Sequence, residues 1–123
     1  MEKTVSQDGT SIAFDRAGTG PALILVGGAF QYRAFDPRTA HLAALLAARF
    51  TTFHYDRRGR GDSGDTLPYT VEREVEDIAA LIAAAGGTAF VFGMSSGAVL
   101  ALDGPGLGVE IDEVRLKEWT RQS

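Results

Sequence analysis

Apolar and polar residues follow one another along the chain in a pattern that predicts short strands separated by helices. Residues 4–18 predict two strands around the turn Asp8-Gly9, because Ile12 and Phe14 alternate with polar neighbours. Two continuous apolar runs predict strands buried on both faces, and a run rich in β-branched and aromatic residues predicts another strand. These three runs are residues 21–28, 88–93 and 50–56.

Two helices are predicted between these strands. Asp36-Pro37 offers an N-cap followed by proline at the first helical position, and the helix then continues to Arg49. The second helix starts at Thr70, is acidic in its first turns, as the helix dipole favours, and stops at Gly86-Gly87. The apolar residues expected to face the sheet are Leu42, Leu45 and Leu46 in the first helix and Val71, Val75, Ile78 and Ile82 in the second.

Strands that alternate with helices predict an α/β domain with a mainly parallel sheet and helices on both faces. A third helix is expected in "SSGAVLALD", and the composition then changes at residue 104. We therefore expect residues 1–103 to form one unit and residues 104–123 to form a divergent tail. Residues 109–111 alternate as in a strand, whereas residues 114–118 suit a short helix, so both structures stay open for the tail.

Composition narrows the classes of function. The chain has 123 residues, no cysteine, a net charge of −4 and a mean hydropathy of −0.01. The lack of cysteine excludes thiol catalysis, cysteine-rich zinc sites and disulfides, and no other metal site is indicated. The scattered basic residues argue against nucleic acid as a partner. Without an apolar run near the roughly 20 residues of a membrane span, or a signal peptide, we expect a soluble, cytoplasmic protein.

The residues that carry candidate chemistry are Gly93–Gly97, "GMSSG", between a predicted strand and a predicted helix. G-x-S-x-G in that context is the pattern of a nucleophile elbow, where small residues let the chain turn sharply and expose the serine. Ser95 is then the nucleophile, and the N–H of Ser96 at the helix start faces a developing oxyanion. The alternative is a serine in an ordinary strand-to-helix turn.

A second oxyanion donor is expected in the loop that follows residues 21–28. Gly28 lets the backbone approach a site closely, and the N–H of Ala29 or of Phe30 is positioned to point into it. A glycine turn that only ends a strand explains the same residues equally well.

Three stretches together resemble the N-terminal half of α/β-hydrolase-fold enzymes of the bacterial serine hydrolase type. They are "DGTSIAFDRAGTGPALILVGGAF", "HYDRRGRGDSGDTLPYTVEREVEDIAALI" and "FVFGMSSGAVLAL", and they cover nearly all of residues 8–102. The resemblance implies a truncated three-layer sandwich with strand order 1-2-4-3-5, a small-molecule ester or similar acyl substrate, and no cofactor. The site residues it implies are Ser95 as nucleophile, the Ser96 and Ala29 amides as oxyanion donors, and Gly28, Gly93 and Gly97 as elbow and loop glycines.

The chain departs from the family pattern in its histidines. Family members place an acid and then a histidine after the serine, whereas His41 and His54 both precede Ser95. We expect His41 to be a partly exposed helix residue and His54 to face the covering helices from within its strand. A serine without a base is a weak nucleophile. The isolated chain is therefore expected to be a poor hydrolase, or an inactive relative that serves as a binding or structural module.

The stretch "GRGDSG" at residues 59–64 has three interpretations. It fits the G-x-G-x-x-G of a dinucleotide cradle, it contains an adhesion-type Arg-Gly-Asp-Ser, and it suits a tight loop. The cradle is disfavoured because Arg57 and Arg58 separate the strand from the first glycine, and the next helix starts only near Thr70. We expect a loop whose Arg and Asp side chains tie it down beside the Ser95 pocket.

The resemblance also bears on association between chains. In the family further strands follow the elbow, so here the strand at residues 88–93 becomes an apolar edge unless residues 109–114 pair with it. Exposed apolar edges recruit other chains. We therefore expect a homodimer, joined through this strand or through the C-terminal tail.

Overall fold

The computed structural model describes residues 1–93 and the backbone of residues 117–120. The strands are β1 (Glu2–Val5), β2 (Ser11–Ala17), β3 (Ala22–Val26), β4 (Thr51–Tyr55), β5 (Thr88–Gly93) and β6 (Lys117–Thr120). The helices are α1 (Pro37–Leu46) and α2 (Val71–Ala84), and a 3₁₀ helix spans Arg33–Phe35. Within these described residues, neither α-helix is long and apolar enough to cross a membrane. The cytoplasmic location stays a prediction.

All six strands belong to one sheet, in the order β1-β2-β4-β3-β5-β6. β3 pairs in parallel with β4 on one side and with β5 on the other, whereas the other three pairings are antiparallel. β1, β3, β4 and β5 therefore run in one direction, and β2 and β6 run in the other. The mainly parallel sheet and the strand order 1-2-4-3-5 are both confirmed.

α1 and α2 cover opposite faces of this sheet, which confirms the three-layer sandwich. Successive side chains of a strand point to opposite faces, so β3 contributes to two separate cores. Leu23 and Leu25 cluster with Ala43 of α1. Ile24 and Val26 cluster with α2 residues, among them Leu81. Because β3 is buried on both faces, its sequence is continuously apolar rather than alternating.

The predicted helix signals act as expected. The Asp36 side chain accepts a hydrogen bond from the Thr39 amide at 3.1 Å, immediately before Pro37. The Thr70 hydroxyl accepts from the amide of Arg73 at 3.2 Å. Each side chain satisfies one of the backbone donors that the first turn of a helix leaves without a partner.

Two of the residues expected to face the sheet do not. Leu45 is 63% exposed, because Ala43 faces the sheet and residues two apart on a helix point roughly 200° apart. Val71 is 42% exposed, since contact between α2 and the core begins one turn later, at Glu74. α1 also ends at Leu46 rather than at Arg49.

β5 is not the bare edge that the sequence predicted. Lys117–Thr120 pairs with it antiparallel, with Lys117 opposite Val91 and Thr120 opposite Thr88. Of the two structures left open for the tail, Lys117 and Glu118 adopt the strand, because pairing along β5 stabilises extended backbone whatever the local helical pattern. The expected third helix and residues 109–114 lie outside the described residues.

The glycine-rich loop after β4 surrounds the carboxylate of Asp56. The two oxygens of this carboxylate accept from the amides of Arg33 at 2.7 Å and Asp62 at 2.8 Å. A Cβ on Gly61 would lie 2.2 Å from Asp56 Oδ2, and its φ is +55°, so only glycine fits there. Asp62 pairs with the Arg33 guanidinium at 2.9 Å, which confirms that the Asp of "GRGDSG" ties this loop down.

Arg58, which precedes "GRGDSG", joins the end of β4 to α2 and to the first turn of the chain. Its guanidinium donates to both carboxylate oxygens of Asp77, at 2.8 and 2.7 Å, and to Asp8 at 2.8 Å. The hydrogen bond from Arg58 holds the pKa of Asp8 well below its usual range. Arg60, within the loop, donates to the Arg58 carbonyl at 2.9 Å, as predicted for the Arg of this stretch.

We predict that Leu81→Ala lowers the free energy of unfolding by about 2–5 kcal/mol, because it leaves a cavity in the core beneath α2. Leu45→Ala is the matched control: the substitution is identical, but the side chain is 63% exposed, so the change should stay within about 0.5 kcal/mol. Urea denaturation followed by circular dichroism measures both. Equal losses in the two variants would contradict the assignment of this core.

A second prediction concerns the pair between Arg58 and Asp77, whose side chains are 0% and 1% exposed. Asp77→Asn should lower the free energy of unfolding by about 3 kcal/mol. This is the lower end of the range of about 3–5 kcal/mol for breaking a buried ion pair, because Asp8 still pairs with the Arg58 guanidinium. Glu76→Gln, one position earlier, removes a partly exposed pair and should cost at most about 1 kcal/mol. If the two variants unfold at the same urea concentration, the buried pair has no structural role.

Candidate active site

The carboxyl ends of the three central parallel strands meet at one edge of the sheet. Val26, the last residue of β3, lies opposite Gly93, the last residue of β5, and Tyr55 ends β4 on the other side. Open α/β sheets bind their ligands at this edge, in the loops that leave the strands. The loop that starts at Gly27 and the chain that continues from Gly93 therefore leave from adjacent positions.

Part of the predicted site lies within the described structure. Gly93 is buried at the end of β5, and Gly28 and Ala29 follow β3 at the neighbouring position of the same edge. Ser95, Ser96 and Gly97 lie outside the described residues, so their predicted roles stay predictions.

The loop after β3 forms a tight turn between Gly28 and Gln31. The Gln31 amide donates to the Gly28 carbonyl at 3.2 Å, and the Gln31 side-chain oxygen accepts from the Gly28 amide at 3.2 Å. The Ala29 amide lies between these bonds and donates to no acceptor among the described residues. The turn therefore leaves the Ala29 amide, a predicted oxyanion donor, without an acceptor of its own.

Arg57 connects this loop to α2. Its guanidinium donates to the Gly27 carbonyl at 3.2 Å and to both oxygens of Glu74 at 2.6 Å. Tyr69 donates its hydroxyl to the same carboxylate. Burial by itself raises the pKa of Glu74, but the hydrogen bonds from Arg57 and Tyr69 outweigh it, so the pKa is lowered and the group is a carboxylate.

Sequence reasoning missed this network because it read the acidic start of α2 only as a response to the helix dipole. Glu74 and Asp77 are each 1% exposed and point toward the sheet. A signal was present, since Ile78 and Leu81 continue the same face at helical spacing. Carboxylates on an apolar helix face need buried cationic partners, and the two adjacent arginines at the end of β4 supply them.

Arg33 forms a second polar cluster beside the edge. Its guanidinium pairs with Asp15 at 2.8 Å, Asp62 at 2.9 Å and Asp56 at 3.2 Å. Burial lowers the pKa of Arg33, but the Asp56 and Asp15 carboxylates outweigh it and raise the pKa. These groups, with Tyr32, line a cleft of about 450 Å³. Each carboxylate already pairs with the guanidinium, so we interpret the cluster as a set of ion pairs that holds these segments together.

The two histidines lie on the elements where they were predicted, α1 and β4. His54 is 6% exposed within β4, and its Nε2 lies 4.0 Å from Oδ2 of Asp36, the cap of α1. Burial lowers the pKa of His54, against the opposing effect of Asp36 and two further carboxylates. His41 is exposed on α1. In the register of the sheet His54 lies opposite Leu25, one residue before the end of β3.

The described residues hold no group of three or more His, Asp or Glu side chains that is arranged to bind a metal ion.

Comparison with known proteins identifies the family. A model of the alpha/beta hydrolase family matches residues 22–116. The uncharacterized hydrolase YraK of Bacillus subtilis is 37% identical over 105 residues, which are 81% of this chain and 37% of YraK.

Two solved structures are similar over nearly the same part of the chain. An alpha/beta hydrolase from Sphaerobacter thermophilus is 63% identical with a TM-score of 0.77, over 82% of this chain and 38% of that protein. The esterase RhEst1 from a Rhodococcus species is 30% identical with a TM-score of 0.71, over 83% of this chain and 40% of the esterase.

The chain spans 37–40% of the length of these relatives. The family match begins at β3 and includes most of the chain, and the strand order agrees with the one that the resemblance implied. The chain belongs to the alpha/beta hydrolase family.

Proposed function

We propose that the chain is the nucleophile-bearing half of a serine hydrolase that acts on a small-molecule ester or similar acyl substrate. The observation that carries this proposal is the parallel pairing of Val26 with Gly93 at the ends of β3 and β5. From these adjacent positions the chain continues to Gly28 and Ala29 on one side and toward Ser95 on the other. The names of two relatives, a hydrolase and an esterase, agree with this class of reaction.

In the proposed reaction, Ser95 Oγ attacks the carbonyl carbon of the substrate and gives its proton to a base. The carbonyl π electrons move to oxygen, and the resulting oxyanion accepts hydrogen bonds from the Ala29 and Ser96 amides. Collapse of the tetrahedral intermediate breaks the bond to the alkoxy oxygen, which leaves as the alcohol with the proton from the base. Water then hydrolyses the acyl-serine by the same two steps.

The free amide of Ala29 supports its role as an oxyanion donor. Gly28 and Gln31 both donate within the turn, whereas Ala29 and Phe30, the two donors that the sequence offered, have no acceptor among the described residues. In this proposal Gly28 allows the turn to approach the substrate, and Gly93 and Gly97 leave room for the sharp turn at the serine.

We propose that the base is neither of the two histidines, because the family pattern places the base after the serine, whereas His41 and His54 precede Ser95. The relatives are more than twice as long as this chain. We propose that a further segment, in the same or another polypeptide, supplies the base and its acid. Loss of triad members in a serine protease lowers kcat by roughly 10⁴–10⁶, so residues 1–123 alone should react slowly.

The second candidate is a catalytically silent relative that serves as a binding or structural module. The position of both histidines before Ser95 in the sequence favours it, because the family pattern places the base after the serine. The two candidates differ in whether Ser95 reacts at all.

We predict that a fluorophosphonate probe labels Ser95, because the phosphoryl oxygen of the adduct occupies the place of the oxyanion. Tandem mass spectrometry of the labelled peptide identifies the residue. Ser95→Ala should abolish labelling, whereas Ser96→Ala should retain it, since Ser96 contributes its backbone amide. Absence of labelling in the unmodified chain would favour the silent module.

We also propose a homodimer. Because β6 pairs with β5, the proposed contact is made by the tail strand β6 rather than by the edge of β5. β6 pairs with β5 on one side, and among the described strands none pairs with its other side. Strand edges that lack a partner recruit further strands. Light scattering at micromolar concentration should give twice the chain mass of 13.1 kDa. A monomeric full chain would contradict the proposal.

A further inference from the structure

The peptide group between Gly27 and Gly28 is fixed at both of its polar ends. Its carbonyl oxygen accepts from Arg57 Nη1 at 3.2 Å, and its N–H donates to Gln31 Oε1 at 3.2 Å. A trans peptide is planar and its carbonyl and N–H point in opposite directions. Two bonds from opposite sides therefore set the orientation of this plane. The next donor along the chain is the Ala29 amide.

Arg57 is itself held rigidly. Its Nε and Nη2 donate to the two oxygens of Glu74, both at 2.6 Å. The two side chains are 5% and 1% exposed, so water does not compete for these bonds. The guanidinium is a planar fork of fixed geometry, and fixing two of its nitrogens fixes the third. The pair with Glu74 on α2 thus directs Nη1 at the Gly27 carbonyl.

Tyr69 strengthens the same arrangement from the segment that precedes α2. Its hydroxyl donates to Glu74 Oε2, the oxygen that also accepts from Arg57 Nη2. This hydrogen bond raises the pKa of Tyr69, so the hydroxyl keeps its proton. The carboxylate is therefore oriented by Tyr69 as well as by the arginine that it holds.

Arg58, the next residue, provides an internal comparison. It forms a bidentate pair with Asp77, three residues after Glu74 on the same helix, and both side chains are buried. Its other bonds go to Asp8 and to the Arg73 carbonyl, and among the described residues it has no bond to the loop at 27–31. The two arginines share chemistry, burial and helix, but only Arg57 contacts the loop.

We propose that Arg57 is a positioning residue: from its pair with Glu74 it fixes the Gly27–Gly28 peptide and thereby the orientation of the Ala29 amide. The proposal deepens the proposed function and rests on it for the role of that amide. Glu74 neutralises the charge of Arg57 locally, so the effect on the loop is one of geometry rather than of an added positive field. Donor geometry at an oxyanion matters because each donor contributes only when it is directed at the developing charge.

The test compares Arg57→Lys with Arg58→Lys in the full chain. Lysine keeps the charge but lacks the fork, so it cannot hold a carboxylate in bidentate fashion and direct a third nitrogen at a carbonyl. Amide chemical shifts and hydrogen exchange are measured by NMR for Gly28 and Ala29. Arg57→Lys should shift both resonances and speed exchange of the Gly28 amide about tenfold, whereas Arg58→Lys should leave both near their original values.

Glu74→Gln and Asp77→Asn form a second matched pair that applies if a lysine variant does not fold. Each removes one carboxylate charge with almost no change of shape, and only Glu74→Gln should affect the Gly28 and Ala29 resonances. Equal changes from both members of a pair, or no change in the Glu74 and Arg57 variants, would overturn the proposal.

The rate of fluorophosphonate labelling at Ser95 gives an independent readout. Removal of one oxyanion donor costs roughly 10²–10³ in rate, and a misdirected donor should cost less, on the order of tenfold. Arg57→Lys should label about tenfold more slowly than the unmodified chain, and Arg58→Lys within about twofold. If the unmodified chain does not label, the proposed function is contradicted. The proposal for Arg57 is not, because the NMR comparison decides whether Arg57 orients the loop.

Discussion

The parallel pairing of β3 with both β4 and β5 is the constraint on which the rest of this structure depends. Because β3 lies between two strands of the same direction, the carboxyl ends of all three strands reach one edge. The loop at Gly27, the arginines after β4 and the chain after Gly93 then begin close to one another at that edge. No local feature of those three segments brings them together. A sheet with another order would separate them.

Buried guanidinium–carboxylate pairs hold the segment after β4 in place. Such pairs contribute little net stability, because removing two charges from water costs nearly as much as their attraction returns. Their value here is directional. Arg58 joins α2 to the first hairpin through Asp77 and Asp8, and Arg57 joins α2 to the loop after β3 through Glu74. A hydrophobic replacement could fill the same volume but could not orient a backbone carbonyl.

Membership of the alpha/beta hydrolase family agrees with the chemistry proposed for this edge, and the chain spans only 37–40% of the length of the relatives compared. The Ala29 amide, which has no acceptor among the described residues, lies beside the point where the chain leaves β5 toward Ser95. Both histidines precede that serine in the sequence, unlike the base of the family pattern. The proposed division of labour, with nucleophile and oxyanion donors in one segment and the proton acceptor in another, follows from these two facts.

Local signals in the sequence determined the elements and the layers. The apolar runs, the caps at Asp36 and Thr70 and the alternation of strands with helices predicted an α/β sandwich, and the family resemblance implied the strand order that the sheet has. Contacts between distant residues were decided only by the tertiary structure. The partners of Arg57 and Arg58 lie 17 and 19 residues away, and the exposure of Leu45 depends on which face of α1 meets the sheet. β6 is extended because β5 offers it hydrogen bonds, and a one-dimensional pattern of side chains does not contain that information.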